Sequence, residues 1–243
     1  MNLKHNWLVL VPSKGRPAEF EKTCKPLLET LPIDSAVILE EDDYDNYDHP
    51  NKILLDKTNQ GVGYAIHFGR QWAEANGYEV IFKIDDDVKK IGKIHEDLEA
   101  IDRYLAKYDD LAGVSFPYSF EFYDITKKKL FSHINKRFQT CYIIKTKYFK
   151  TTERIRQIED FFYYMMAIRQ NGWVLRCSKH AIETKAVGSN DGGCQSFDRA
   201  QMYLDDIKVF LEIDPSIKVI EKPDKSWRYE PKLTDPMYKA RKI

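Results

Sequence analysis

Residues Val80 to Asp87 read VIFKIDDD. Val80 to Ile84 is a short, largely apolar run of the kind that forms a buried strand, and three carboxylates stand at its exit. In an open α/β sheet, ligands bind at the carboxyl ends of the strands. Along an extended segment, residues two apart project the same way, so Asp85 and Asp87 are expected to converge while Asp86 turns aside. Three carboxylates this close repel one another at a desolvated site. A hard divalent cation, Mn²⁺ or Mg²⁺, relieves that repulsion by accepting a few carboxylate oxygens together with phosphate oxygens. The competing reading of the trio is a solvated acidic turn before Lys89 and Lys90. Its position after three earlier strands favours the metal.

On the N-terminal side, Trp7 to Val11 is a continuous apolar run closed by Pro12 and Gly15, a first buried strand. Pro17 suits the first turn of a helix, and Phe20, Cys24, Leu27, Leu28 and Leu31 recur with helical period. Ser35 to Leu39 is a second strand that empties into the acids Glu40 to Asp43, and Lys52 to Leu55 is a third. Gly61 to Asn76 carries Val62, Ile66, Gly69 and Ala73 on one helical face, with Asn76-Gly77 as its stop.

On the C-terminal side, a helix with Leu98, Ile101 and Leu105 precedes strand-like Ala112 to Phe116, and Thr140 to Ile144 is a further strand. Ile155, Ile158, Phe162, Met165 and Met166 predict another helix, Trp173 to Cys177 a strand, and Tyr203, Ile207, Phe210 and Leu211 a last long helix. The alternation of strand and helix in the first half predicts βαβ units on a mostly parallel sheet. The second half is more mixed. There is no repeat and no convincing linker, so residues 1–243 are read as one domain.

Composition bounds the function. The chain has 243 residues, 43% apolar and 31% charged, enough for a buried core. Its 38 basic and 38 acidic side chains cancel, which excludes a strongly basic nucleic-acid binder but leaves room for a locally basic face. No run of about 18 apolar residues exists to span a membrane. Cys24, Cys141, Cys177 and Cys194 show neither CxxC pairing nor zinc spacing, and a reduced, cytoplasmic setting is expected.

Other constellations surround the trio. Val11-Pro12-Ser13-Lys14-Gly15-Arg16-Pro17 ends a strand in a glycine-containing turn, whose cations and N–H groups suit a diphosphate. It lacks the GK[ST] ending of a P-loop. Glu159-Asp160 could supply a general base. His180, just after a strand, could ligate a metal, and Asp191 is a further polar candidate. Gly192-Gly193 permits close approach to a ligand. Residues 125–150 hold eight basic side chains, among them Lys127, Lys128 and Lys129, and no acid. They are interleaved with Phe131, Phe138, Tyr142, Tyr148 and Phe149, a pattern that fits either a phosphate-backbone surface with stacking rings or an ordinary solvated lysine face.

The order of these parts resembles the GT-A glycosyltransferases, nucleotide-sugar-dependent enzymes with a DxD signature, over roughly residues 7–193. The resemblance implies a GT-A, Rossmann-like α/β fold. It implies a nucleotide-binding half over about 1–115, an acceptor half over about 116–220, and a basic, aromatic tail over 221–243. It assigns Val11, Pro12, Ser13, Lys14 and Arg16 to the nucleoside-diphosphate sugar donor, with Glu41 or Asp42 on base or ribose. Gly61 flanks the nucleotide and Arg70 is a candidate for the diphosphate. Asp85 and Asp86 hold ribose or sugar hydroxyls, while Asp87, with Asp85 and His180 as further ligands, binds Mn²⁺ or Mg²⁺. Asp160, with Glu159 second, corresponds to the acceptor-activating base of inverting members.

Compact length, the basic and aromatic stretches, and the GSNDGGCQ loop are similar to small phage enzymes that glycosylate hydroxymethylated pyrimidines in DNA, including the TET-associated group. That similarity implies a DNA acceptor, held by Lys127, Lys128, Lys129, Gly192 and Gly193. A GT-A enzyme acting on a glycan, lipid or protein is the alternative within the class. A metal-dependent nuclease or nucleotidyltransferase is the alternative outside it, and a non-catalytic nucleic-acid-binding module is a third.

Overall fold

A computed structural model describes residues 2–121, 129–184, 199–221 and 229–242. The strands are β1 (Trp7–Pro12), β2 (Asp34–Leu39), β3 (Lys52–Leu54), β4 (Val80–Lys83), β5 (Val88–Ile91), β6 (Leu111–Ser115), β7 (Phe131–Ile134), β8 (Tyr142–Lys145), β9 (Trp173–Cys177), β10 (Ile182–Thr184), β11 (Lys218–Glu221), β12 (Tyr229–Lys232) and β13 (Arg241–Lys242). The helices are α1 (Pro17–Lys22), α2 (Cys24–Glu29), α3 (Val62–Ala75), α4 (Leu98–Lys107), α5 (Glu159–Arg169) and α6 (Arg199–Ile213).

Nine strands form one sheet in the order β13-β7-β9-β6-β8-β4-β1-β2-β3. β3, β2, β1 and β4 run parallel, as the βαβ alternation requires. β8 lies antiparallel between β4 and β6, β6 and β9 are parallel again, and β7 is reversed beside β9. Since β13 is antiparallel to β7, seven strands point one way and only β7 and β8 oppose them. Two-stranded pairs, β5 with β10 and β11 with β12, lie outside this sheet.

The period-2 alternation of a strand explains how the sheet is buried on both faces. From β1, Leu8 and Leu10 enter the core with residues of α3, α5 and α6, whereas Trp7, Val9 and Val11 enter the opposite core with Phe20, Cys24, Leu98, Ile101 and Leu105. The helical stripe after Pro17 is broken at Thr23 into α1 and α2. The Thr23 hydroxyl donates to the Asp86 carbonyl at 3.0 Å, tying the break to the end of β4. Gly69 lets α3 lie against the sheet, because a Cβ there would stand 2.5 Å from Ile38 Cδ1.

Short apolar runs located the strands of the parallel block, β1 to β4. They did not locate β5, β7, β10, β11, β12 or β13, which are two to four residues long and carry polar residues. The stretch after 221 is not merely a tail: β13 pairs with β7, and Tyr238 is buried with its hydroxyl on Asp214 at 2.9 Å. Cys24, Cys141 and Cys177 are buried free thiols, and Cys194 lies outside the described residues. No helix among the described residues is long and apolar enough to cross a membrane.

Candidate active site

A cleft of about 270 Å³ opens at the carboxyl ends of β1, β2 and β4, and the first turns of α3 and α5 close it. Pro12, Ser13, Lys14, Arg16, Glu40, Gly61, Lys83, Asp85, Asp86, Glu159 and Asp160 all line it. Parts far apart in sequence, from Pro12 to Asp160, therefore share one cleft.

The donor-side corner is built on charge pairing. The Arg16 guanidinium donates to Asp86 at 2.5 Å and stands 4.0 Å from Asp87. Ser13 bonds the other Asp86 oxygen and meets the Tyr47 hydroxyl at 2.7 Å. That hydroxyl also accepts the Arg16 N–H at 3.0 Å, and burial pushes Tyr47 up to about 12, so it stays a neutral partner. Lys14 reaches Glu40 at 2.8 Å, and Glu40 accepts the Asn59 N–H at 2.7 Å.

The aspartates divide with Asp86 apart from Asp85 and Asp87, at a place where the backbone turns: the Val88 N–H donates to the Asp85 carbonyl at 3.2 Å. Asp86 does turn away from the other two, but it turns inward and is fully buried. The side chains of Asp87 and Asp85 keep 19% and 32% exposure. Asp87 accepts the Thr184 hydroxyl at 3.0 Å. Burial raises the Asp86 carboxyl to about 7 against the pull of Arg16. Burial, and then the charge on Asp85, raises Asp87 also.

This corner thus sets three carboxylates, Asp85, Asp86 and Asp87, against two cations, Arg16 and Lys83. That donor set fits a hard divalent cation, with Asp87 and Asp85 as the residues that would hold it. Among the described residues no three histidine, cysteine or carboxylate side chains form a ready-made metal cage. A cation here would take its remaining ligands from phosphate and water, as Mg²⁺-type sites do.

At the other wall, Lys83 is buried at 1% exposure at the end of β4 and joins the two ends of the cleft. Its ammonium pairs with Asp85, stands 3.2 Å from Glu159, and donates to the Thr140 carbonyl at 3.1 Å. Burial opposes the charge on Lys83, but Asp85 and Glu159 outweigh it and hold the group protonated. Burial raises both Glu159 and Asp160. The two acids differ in surroundings. Glu159 is locked to Lys83, whereas Asp160 is half-buried and accepts the Phe161 N–H at 2.8 Å.

The segment before α5 is held by Asp206 of α6. The buried Asp206 carboxylate accepts the N–H groups of Arg156, Gln157 and Ile158 at 2.8, 2.7 and 3.0 Å. The same segment presses on α3: a Cβ on Gly63 would stand 2.2 Å from the Ile155 carbonyl oxygen, and Gly61 sits at φ +90.

Several expected site residues lie elsewhere. Val11 is wholly in the core beneath the cleft. Glu41 and Asp42 fall in the short helical turn Glu41–Asn46 with their side chains exposed, and Glu40 takes the cleft position one residue earlier. Arg70 is about 12 Å along α3 from its start, at 1.5 Å per residue, and pairs with Glu74 at 2.7 Å. Lys129 is exposed beside Tyr104, Tyr108 and Trp173, in a groove that shares no residue with the cleft. Lys127, Lys128, Asp191, Gly192 and Gly193 lie outside the described residues. Phe131, Phe138, Tyr142 and Phe149 are core residues rather than a stacking surface.

His180 is not at the metal corner. Its Nε2 meets Asp97 at 2.7 Å, and its Nδ1 accepts the Lys93 N–H at 3.3 Å. A neutral ring satisfies both contacts, and a second ring proton would face the Lys93 donor. Burial lowers its pKa below 6.5. Between the folded pKa and 6.5 the unfolded chain binds more protons, so this group's contribution to stability falls as the solution is acidified below about pH 6.5. His180→Gln is expected to remove that component from the unfolding midpoint measured between pH 5 and 7, while the protein's manganese affinity stays unchanged.

No protein-family model matches the chain, and no curated protein matches it in sequence. Solved structures match its fold, which is that of the GT-A nucleotide-sugar glycosyltransferases. A mannosyltransferase of Pyrobaculum calidifontis, in complex with GDP-Man and Mn²⁺, aligns with TM-score 0.57 and 12% identity over 88% of this chain and 65% of its own. GalNAc-T7 with UDP, GalNAc and Mn²⁺ aligns with TM-score 0.58 and 10% identity, over 87% of this chain and 48% of its own. Glucosyl-3-phosphoglycerate synthase of Mycobacterium tuberculosis, with Mn²⁺, UDP and phosphoglyceric acid, aligns with TM-score 0.54 and 10% identity, over 98% and 89%. This chain therefore spans less than two thirds of the first of these proteins and about half of the second.

Proposed function

We propose that this protein transfers a sugar from a nucleoside-diphosphate sugar to a hydroxyl acceptor, with Mn²⁺ or Mg²⁺. The observation that carries the reading is the single cleft in which Asp85 and the arginine-paired Asp86, with Asp87 next to them in the chain, face a second acid pair, Glu159 and Asp160, across Lys83. The fold's neighbours, three of them with Mn²⁺ and nucleotide or nucleotide sugar in their sites, support it.

In this reading Lys14 and Arg16 lie along the diphosphate, and Asp87 and Asp85 hold the cation. Bound there, the cation would stabilise the negative charge that grows on the diphosphate as it leaves. Asp160 takes the proton of the acceptor hydroxyl. The acceptor oxygen forms its bond to the anomeric carbon, and the bond from that carbon to the diphosphate oxygen breaks. Its electron pair departs with the nucleoside diphosphate. The Arg16 guanidinium, held by Asp86, supplies positive charge at this corner as the negative charge grows.

The acceptor in this proposal is a hydroxymethylated pyrimidine in DNA. What supports it is the run of eight Lys and Arg side chains, with no acid among them, in residues 125–150 of a chain of zero net charge. A base hydroxymethyl group is reached in the major groove or after extrusion of its nucleotide. The test is a screen of UDP- and GDP-sugars with Mn²⁺ or Mg²⁺ and hydroxymethylated duplex DNA, read by mass spectrometry of digested nucleosides. A nucleoside gaining one hexose or pentose mass is expected. Donor consumption only with a glycan, lipid or protein hydroxyl would refute the DNA acceptor, and phosphodiester cleavage without sugar transfer would refute the class.

A further inference from the structure

A second cavity, of about 360 Å³, lies on the flank of α5 beside the cleft. The two share no lining residue, yet they meet at consecutive positions, since Asp160 lines the cleft and Phe161 the second cavity. Lys136, Arg137 and Lys232 line it against one acid, Glu230. The Arg137 guanidinium lies 4.4 Å from the centre of the Phe161 ring, and 3.5 Å from Glu230. It also acts on Asp160, where its charge is the strongest influence opposing burial.

The donor's phosphates have their own cations at Lys14 and Arg16 in the first cleft. The second cluster is thus a separate basic centre on the acceptor side of the acid pair. An arginine laid on an aromatic face makes a flat cationic platform, which suits a phosphate with a base or sugar edge beside it. The three cations come from distant parts of the chain, the β7–β8 connection and β12, and the fold gathers them at one place.

We propose that this cavity is the acceptor-strand subsite, in which Arg137, Lys136 and Lys232 hold phosphate groups of a nucleic acid next to the nucleotide presented to Asp160. The inference rests on the DNA-acceptor reading, and it moves the phosphate contacts away from the Lys127–Lys129 run to this cluster. Glu230 is then an internal competitor for Arg137 that a phosphate displaces. Its presence makes a test by gain of binding possible.

The experiment measures binding of a fluorescent hydroxymethylated duplex to the full chain by anisotropy across salt concentrations. Affinity for UDP with Mn²⁺ is read separately on each variant. Arg137→Ala with Lys232→Ala is expected to weaken duplex binding at least tenfold near 0.1 M salt. Each lost phosphate contact should lower the slope of log affinity against log salt by about 0.9, so by about two for the pair. Glu230→Gln is expected to tighten binding, a result that misfolding cannot produce. Wild-type duplex binding with an unchanged slope in the double variant and no gain in Glu230→Gln would overturn this subsite and leave the DNA reading standing. Failure of the wild-type protein to bind the duplex, with UDP binding intact, would overturn both. Arg137-dependent transfer to an anionic sugar or peptide in place of DNA would overturn the nucleic-acid occupant.

Discussion

Asp87→Ala is expected to lower nucleotide-sugar turnover by at least ~10²-fold, in line with the loss of one electrostatic contributor at a reacting centre. The unfolding midpoint should change little. Asp87 keeps solvent access, meets the Thr184 hydroxyl, and sits beside Asp85 and Asp86, whose charges act against its own. Removing it relieves repulsion and frees Arg16 to face Asp86 alone. Turnover and thermal unfolding of the same preparation, with and without manganese, check this. Turnover that survives either the substitution or EDTA would eliminate the metal role given to this residue.

The second large effect separates the two adjacent acids. Asp160→Asn is expected to cut sugar transfer by ~10²–10⁴-fold, the usual worth of a positioned general base, with donor affinity retained. Glu159→Gln is expected to act mainly on stability. It leaves the buried Lys83 ammonium with Asp85 as its only carboxylate, and removing one partner of a buried pair costs roughly 3–5 kcal/mol. Single-turnover transfer rates and denaturant unfolding of both variants distinguish the roles. If Asp160→Asn turns over like the wild type while Glu159→Gln folds normally and is inactive, the assignments are reversed.

The strands of the parallel block were legible because each is a short apolar run punctuated by Pro, Gly or acids, and burial on both faces demands that pattern. The edge strands were not, since β5 and β12 carry lysines on solvent-facing positions and β13 has two residues. In the site, Ser13, Lys14, Arg16, Asp85, Asp86, Glu159 and Asp160 were named from motif order, and the fold brings them into one cleft. Glu40 was missed by one position, because the end of β2 rather than the densest part of the acidic run faces inward. Lys83 was missed although it carried a signal: a lone ammonium in an apolar strand must find carboxylates once buried, and Asp85 is two residues away. His180 misled because a histidine after a strand looks alike whether it serves a metal or, as here, a half-buried aspartate.

The Asp206 carboxylate binds three backbone amides of the segment that delivers Glu159 and Asp160, and it belongs to the last long helix. The acid pair is therefore finished by residues translated some fifty positions after it. A nascent chain that has emerged only through α5 carries Ser13, Arg16 and Asp86 of the donor corner, but neither the Thr184 hydroxyl that meets Asp87 nor the brace for its reactive acids. Competence would then arrive late in synthesis, and shortening the gene from its 3′ end would silence the protein well before it dismantled the nucleotide pocket.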